Sequence, residues 1–391
     1  MRGSARRVGM LDARLGSRDT RATDGRRRGR EPAARVCRRT ATGDVSNPGL
    51  RLAPPQDASD PDVVAFDKSS AEQHPMGDSA VMALVATEYG PPEKVLAVTD
   101  VPAPTPSPNQ VQVRVQAAAL NPLDLYLITG AMGSQMPVRH PFVVGMDAAG
   151  TVAAVGDRVR GYAEGDPVLG FSGFNAGTAA AYTVIADGPF LARRPAGLDA
   201  VRAAAIPESG LTATHLLRVV APRPGQRMLV IGATGGVGMF AVQLAAAAGV
   251  EVIATATPDD ADYVRGLGAA DVIDHTSRDV VVETRARYPD GVDVILDVVN
   301  AGPAIVASAG AARAGGRVVS PRSGPTDLGG VTAVYIGQMT PEPGDLDRLA
   351  QLAADGSLRV EVGAAYPLDR GHEAVADFAS THIRGKVAIT V

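Results

Sequence analysis

The segment Met228-Leu229-Val230-Ile231, followed at once by Gly232-Ala233-Thr234-Gly235-Gly236-Val237-Gly238, does most to narrow the folds open to this chain. A short, continuous apolar run suits a strand buried on both faces of a parallel sheet. An Ala-rich stretch, Met239 to Ala248, comes after the glycines and is predicted to be a helix stopped by Gly249. Strand, glycine turn and helix together form the setting of a dinucleotide fingerprint. Glycines let the backbone approach a pyrophosphate, and the helix amino terminus offers free N–H groups with partial positive charge. Gly235 and Gly238 fit the last two fingerprint glycines, and Ala233 stands where the first belongs. A strand–helix turn without a ligand is the simpler alternative, and the βαβ setting weighs against it.

That setting extends well beyond the motif. Strands are predicted at residues 252–256, 271–274, 293–299 and 317–320, with a final strand at 332–337 and helices at 203–220 and 345–354. Repetition of βαβ at this spacing indicates a doubly wound sheet. Ahead of it the pattern differs. Residues 83–87, 95–98 and 110–115 read as short strands between Gly/Pro turns, and 143–155 and 166–171 continue in that style. Val111, Val113 and Val115 share one face of their strand. At 391 residues the chain exceeds one ordinary core, which favours two domains. The last stretch, 362–391, returns to mixed helix and strand and is expected to rejoin the first domain. The predicted division is a tail over 1–81, a β-rich domain over 82–204, a nucleotide domain over 205–340 and a returning segment over 341–391.

Charge and composition exclude several classes. Fifteen basic and ten acidic side chains fall in residues 1–75, a net of +5, and the remainder carries −9. This basic stretch, with Arg26-Arg27-Arg28-Gly29-Arg30, lacks an apolar period and reads as disordered. No apolar stretch follows Arg6-Arg7 or Arg38-Arg39, as a twin-arginine export signal requires. A solvated tail, a nucleic-acid-binding arm and translated upstream sequence with the start at Met76 or Met82 are the alternatives, and the abrupt change at Met82 favours the last. Trp is absent and the overall charge is −4, so neither base stacking nor general attraction to nucleic acid is expected. No apolar run reaches the length of a membrane span. The single Cys37 excludes an intrachain disulfide and a Cys-cluster zinc site, and it is compatible with a cytoplasmic location.

The end of the second nucleotide-domain strand speaks to the choice of cofactor. An NAD site usually places an acid there to bind the ribose 2′-hydroxyl. Here the sequence is Ala254-Thr255-Ala256-Thr257-Pro258, which favours NADP, with Thr255 and Thr257 as hydroxyl donors. Against this, the loop has no Lys or Arg and continues into Asp259-Asp260. Both threonines are also ordinary strand-end β-branched residues.

These residues resemble the medium-chain dehydrogenase/reductase superfamily, in particular its zinc-free quinone oxidoreductase branch. Seven landmarks carry the resemblance in order: 119–124 (Ala-Leu-Asn-Pro-Leu-Asp), 144–152 (Val-Gly-Met-Asp-Ala-Ala-Gly-Thr-Val), 165–168, 205–213, the 232–238 turn, 291–297 and Arg384-Gly385-Lys386-Val387. Each is loose alone, but the ordered set is specific and covers Met82 to Val391. It implies a GroES-like catalytic domain interrupted by a Rossmann domain, with the cleft between them. It also implies NADPH-dependent reduction of a quinone or activated alkene, in a homodimer. Zinc members of the superfamily place Cys where Asn121 stands and Gly-His-Glu near Gly145-Met146-Asp147, and they carry a four-Cys lobe. The six histidines here include no pair at i, i+3 or i+4, so no metal is expected.

Reducing a quinone or enone leaves negative charge on oxygen, and a donor aimed at that oxygen is the useful protein group. By resemblance, Asn121 and Tyr126 line the nicotinamide and substrate cleft, with the Tyr126 hydroxyl as donor. Capping competes for the neighbours: Asn121-Pro122-Leu123-Asp124 is also a good helix start, with Asn as N-cap, Pro at N1 and an acid at N3. His275, after the third strand, is a candidate contact to the adenosine phosphate or a surface residue. Ser320, in the 320–324 turn after the last core strand, is placed to face nicotinamide, and Arg322 in the same turn is a candidate to help bind substrate. Arg384 and Lys386 approach the cofactor, close the domain interface or form a solvated turn, and Glu208 and Asp147 are assigned structural roles. Two further functions stay open: an enoyl-thioester reductase of the same superfamily, and a non-catalytic NADPH-binding sensor or structural protein.

Overall fold

A computed structural model describes residues 76–173 and 176–391. The expected tail over 1–81 lies outside the described residues as far as residue 75. Its last residues do not belong to a tail: the first strand runs Met76–Ala86, six residues earlier than the break in pattern at Met82. It pairs antiparallel with Leu96–Pro104, in continuous register from Ala80 opposite Pro102 to Ala86 opposite Leu96, with an irregularity between Met76 and Ala80.

The nucleotide half is a six-stranded sheet in the order Asp271–Asp274, Glu251–Ala256, Arg227–Ile231, Val292–Asp297, Ala312–Ser320, Thr332–Tyr335. Every neighbouring pair is parallel. This is the Rossmann order, in which the first strand lies at the centre and the chain reverses beside it. Met228 and Val230 pack into one apolar cluster, and Leu229 and Ile231 into another on the opposite face. Burial on both faces is why this strand reads as an unbroken apolar run.

The β-rich half is built around Gln110–Ala119, which pairs antiparallel with Asp147–Val155, Tyr182–Ala186 and Lys386–Thr390. The last of these belongs to the end of the chain, so the carboxyl-terminal segment completes the first sheet. The cluster holding Met228 and Val230 also holds Ala117, Ala149 and Leu169 of the β-rich half, with Leu211, Leu216 and Leu217 between them. One continuous core therefore joins the two halves.

Two local expectations need correction. The helix expected over 203–220 is two helices, Ala200–Ala204 and Pro207–Val220. Pro207 lacks the N–H that would continue the first helix and instead starts the second. Val95, expected in a strand, ends the helical turn Pro92–Val95. Among the described residues no helix is long and apolar enough to cross a membrane.

Candidate active site and cofactor cradle

The glycine loop opens at Gly232, whose φ of +92° favours a residue without a Cβ. The tight turn is thus made by Gly232, while Ala233 is fully buried and contributes only backbone to the loop. A Cβ on Gly238 would lie 2.0 Å from the Gly232 carbonyl oxygen, so the helix packs directly on the strand end. By contrast, a Cβ on Gly235 would meet no protein atom nearer than 3.7 Å, which leaves the space above the loop for a ligand's phosphates. The helix Gly236–Ala247 begins there with no side-chain cap. Its first N–H groups and the open space beside Gly235 fit a pyrophosphate. Val237 packs its side chain into the central core. The Thr234 carbonyl accepts a hydrogen bond from the Gly385 N–H at 2.8 Å, which ties the loop to the carboxyl-terminal segment.

Thr255 turns its hydroxyl to the backbone. Its hydroxyl accepts the Gly232 N–H at 3.2 Å and donates to the Val230 carbonyl at 3.4 Å, inside the sheet. It braces the glycine turn. Thr257 donates to Asp260 at 3.0 Å. Asp260 in turn receives His382 at 2.6 Å and Arg384, and Arg384 also donates to the Asp259 carbonyl at 2.9 Å. Burial works to raise the Asp260 pKa, but the hydrogen bonds from His382, Arg384 and Thr257 outweigh it and hold the carboxyl below the usual range. The guanidinium missing from the 254–260 loop therefore arrives from 124 residues further along the chain, with the His382 imidazole beside it. His275 is exposed just beyond its strand, with its N–H directed to the Ala256 carbonyl at 3.4 Å. It shares this rim.

Asn121 does precede a helix, Pro122–Thr129, and the Asp124 carboxylate accepts the Asn121 N–H at 2.7 Å. The Asn121 side chain has another task. Its amide donates to Asp147 at 3.0 Å and its oxygen accepts from Lys386. Lys386 reaches Asp147 and the Ser209 hydroxyl, each at 3.3 Å. Asp147 also accepts the Glu208 N–H at 2.9 Å, at the start of the helix Pro207–Val220. Asn121, Asp147, Ser209 and Lys386 are all essentially removed from solvent. Lys386 is thus the centre of a buried polar cluster, not part of a solvated turn. Burial raises the Asp147 and Glu208 carboxyls, and the Lys386 ammonium opposes the shift. Asp124, also sealed from water, is pushed up to about 7 by burial.

Tyr126 lies outside this cluster, half-buried on the next turn of the helix. Its hydroxyl accepts a hydrogen bond from Arg322 Nη1 at 2.9 Å, and the guanidinium sits over the ring at 5.8 Å from its centre. Arg322 follows Ala312–Ser320 in the other half. Ser320 is fully buried, and its hydroxyl accepts the Arg322 N–H at 3.0 Å. The Ser320 oxygen shapes this turn.

Comparison with known proteins decides the family. Residues 107–193 match the alcohol dehydrogenase GroES-like domain and residues 267–389 match the family described as zinc-binding dehydrogenase. The quinone oxidoreductase of Lama guanicoe is 32% identical over 330 residues, covering 80% of this chain and 98% of that protein. The chain belongs to the medium-chain dehydrogenase/reductase superfamily, in its zinc-free quinone oxidoreductase branch.

Solved members agree with the fold. The quinone oxidoreductase of Coxiella burnetii superposes with a TM-score of 0.71 at 27% identity, covering 80% of this chain and all of that one. A mycobacterial member complexed with NADPH gives 0.69 at 27% identity, with the same coverage. A component of the pikromycin polyketide synthase of Streptomyces venezuelae is 35% identical over 270 residues, which is 64% of this chain and 7% of that protein. Membership makes the chain an oxidoreductase with a pyridine-nucleotide fold. Among the described residues no group of three or more His, Cys, Asp or Glu is arranged to hold a metal ion. In the positions where zinc members carry Cys and Gly-His-Glu, this member has Asn121 and Asp147, hydrogen-bonded to each other, and Met146, which packs with Leu127 and Phe171.

Sequence reasoning missed two features. It gave no partner to Asp260, and it read Glu208 and Asp147 as structural without a cation between them. A charged residue at each of two positions in 384–386, next to a glycine and in front of an apolar strand, was the available signal.

Proposed function

We propose that this chain is a cytoplasmic, homodimeric reductase that uses NADPH to reduce a quinone or an α,β-unsaturated carbonyl without zinc. The observation that carries this reading is the arrangement of His382 and Arg384 beside Thr257 and Asp260, at the end of the second strand and next to the uncapped glycine loop. A 2′-phosphate belongs at that strand end. Asp260 is already engaged by His382, Arg384 and Thr257, so it is a poor partner for ribose hydroxyls. Arg384 is half-exposed on this rim and offers a charge-assisted contact to phosphate. Reduced nicotinamide, when bound, supplies the hydride.

The protein's own residues do the rest. The loop and the helix start hold the pyrophosphate. The Lys386 cluster fixes Asn121, and with it the helix that carries Tyr126. The Tyr126 hydroxyl donates to the oxygen on which charge develops. An enoyl thioester is the second substrate class, favoured by the stretch shared with the polyketide synthase component.

Steady-state assays with NADPH and NADH against a quinone, a simple enone and an enoyl thioester test the reading. Turnover of a quinone or enone with NADPH preferred is the expected result. Preference for NADH removes the cofactor assignment, and turnover of the thioester alone replaces the substrate class. Binding of NADPH without turnover of any of the three leaves a non-catalytic binding protein. Mass measurement in solution checks the dimer.

A further inference from the structure

The contact between Tyr126 and Arg322 joins side chains 196 positions apart, one on the helix Pro122–Thr129 and one just past the carboxyl end of the strand Ala312–Ser320. In a Rossmann sheet, strand carboxyl ends are where the ligand sits. Three details give the pair a direction. First, a guanidinium only donates, so Arg322 occupies a lone pair of the phenol oxygen and leaves the single Tyr126 O–H free to point elsewhere. Second, the backbone of Arg322 is fixed: its N–H is held by Ser320, a fully buried residue at the strand end. The charge is therefore presented by a rigid element. Third, Arg322 Nε is buried and has no hydrogen-bond partner. A buried cationic N–H without an acceptor is costly, so its presence needs an explanation such as a ligand oxygen.

Resting on the proposed reductase function, we propose that Arg322 is the positioning residue that turns Tyr126 into an oxyanion donor, so that the phenol, held by the guanidinium, receives the oxygen of the reduced substrate. For an enone the balance is as follows. A hydride forms a C–H bond at the β-carbon, the C=C pair moves to a new C=C bond, and the carbonyl π pair moves onto oxygen. The substrate gains two electrons and the nicotinamide loses them. Tyr126 donates its hydrogen bond to the resulting enolate oxygen, and water supplies the final proton at the α-carbon. Arg322 offsets the charge that accumulates on the phenol–oxygen pair throughout. Neither side chain acts alone: without Arg322 the phenol is free to rotate away, and without Tyr126 the guanidinium is set back from the reacting oxygen.

The test uses a readout that does not depend on turnover. 4-Nitrophenolate, a planar oxyanion, is titrated into the protein saturated with oxidised cofactor, with neutral 4-nitrotoluene as the control. Arg322→Met is expected to weaken 4-nitrophenolate about 10-fold and leave 4-nitrotoluene unchanged. In turnover with quinone or enone, kcat should fall by about 10–100-fold while cofactor affinity holds, and Arg322→Lys should recover part of the loss. Tyr126→Phe and the double variant should lose about the same amount as each other, since Arg322 acts through the phenol. Unchanged phenolate binding in Arg322→Met, or losses from the two single variants that add fully, would overturn the proposal. Should the wild type reduce neither quinone nor enone while phenolate binding still depends on Arg322, the reaction assignment falls and the oxyanion site stands. Circular dichroism identifies a misfolded variant, in which case the Arg322→Lys comparison decides.

Discussion

The two ends of the cleft are made in opposite ways. The cofactor cradle is backbone: seven consecutive residues, Gly232 to Gly238, provide a turn, an open groove and a helix start. The polar cluster behind the substrate side is side chain: Asn121, Asp147, Ser209 and Lys386 come from four distant segments and meet only in the folded protein. A backbone site is specified locally and tolerates variation outside its glycines. A side-chain site depends on every segment that contributes to it, and its charges are stable only when all are present.

The largest expected effect comes from breaking the backbone side. Gly238→Ala places a Cβ against the Gly232 carbonyl oxygen, which neither strand nor helix can avoid. Calorimetric titration should detect no NADPH binding, and the melting temperature should fall. Retained binding would show that the loop relaxes, contrary to its packing.

Lys386→Met breaks the side-chain end. It leaves Asp147 and Asn121 buried without their cation, at a cost of about 3–5 kcal/mol. Denaturant unfolding measures it, and a loss under 1 kcal/mol would mean that the carboxyl sits there protonated at little cost.

Arg384→Ala probes the point where the two ends meet. It should raise KM for NADPH by about 10–100-fold, the equivalent of a hydrogen bond to a charged group, and leave NADH within about 2-fold. Equal effects on both cofactors would remove Arg384 from phosphate recognition.

Asp124 gives the comparison a pH dependence. Its folded pKa, about 7, lies above the ordinary carboxylate value. The folded state therefore binds a proton that the unfolded chain has already released. Stability from this group is full below the ordinary carboxylate pKa and is lost as pH rises through about 7. Wild type should lose stability relative to Asp124→Asn between pH 5 and 8, read from paired urea midpoints. Parallel midpoints would show an ionised Asp124 throughout.

The smallest effect belongs to Thr255→Val. It deletes a brace on the glycine turn and should cost about 1 kcal/mol. The Michaelis constant for NADPH should hold within about 2-fold, because the hydroxyl points into the sheet.

Much of the fold was legible in advance. Residues 271–274 and 345–354 form the strand and helix expected of them, because a short β-branched apolar run and a 3.6-residue apolar period both register directly in the chain. The broken helix at Pro207 was legible too, had the proline been given more weight than the alanines around it. The site was only half visible. Asn121 is the N-cap that its neighbours announce, its N–H held by Asp124, and its side-chain amide also serves Lys386 and Asp147. Thr255 and Ser320 both accept backbone N–H groups, contacts that no local pattern in the sequence announces.

The sequence by itself determined the glycine cradle and the doubly wound sheet, because both depend on residues adjacent in the chain and on burial of continuous apolar runs. Only the tertiary structure decided which charges meet. Lys386 pairs with Asp147 across 239 positions and Arg384 with Asp260 across 124. The carboxyl-terminal strand brings both cations into place by pairing with Gln110–Ala119. A charge carries no mark of its partner in the sequence: attraction acts through space, and only the assembled sheet sets the distances.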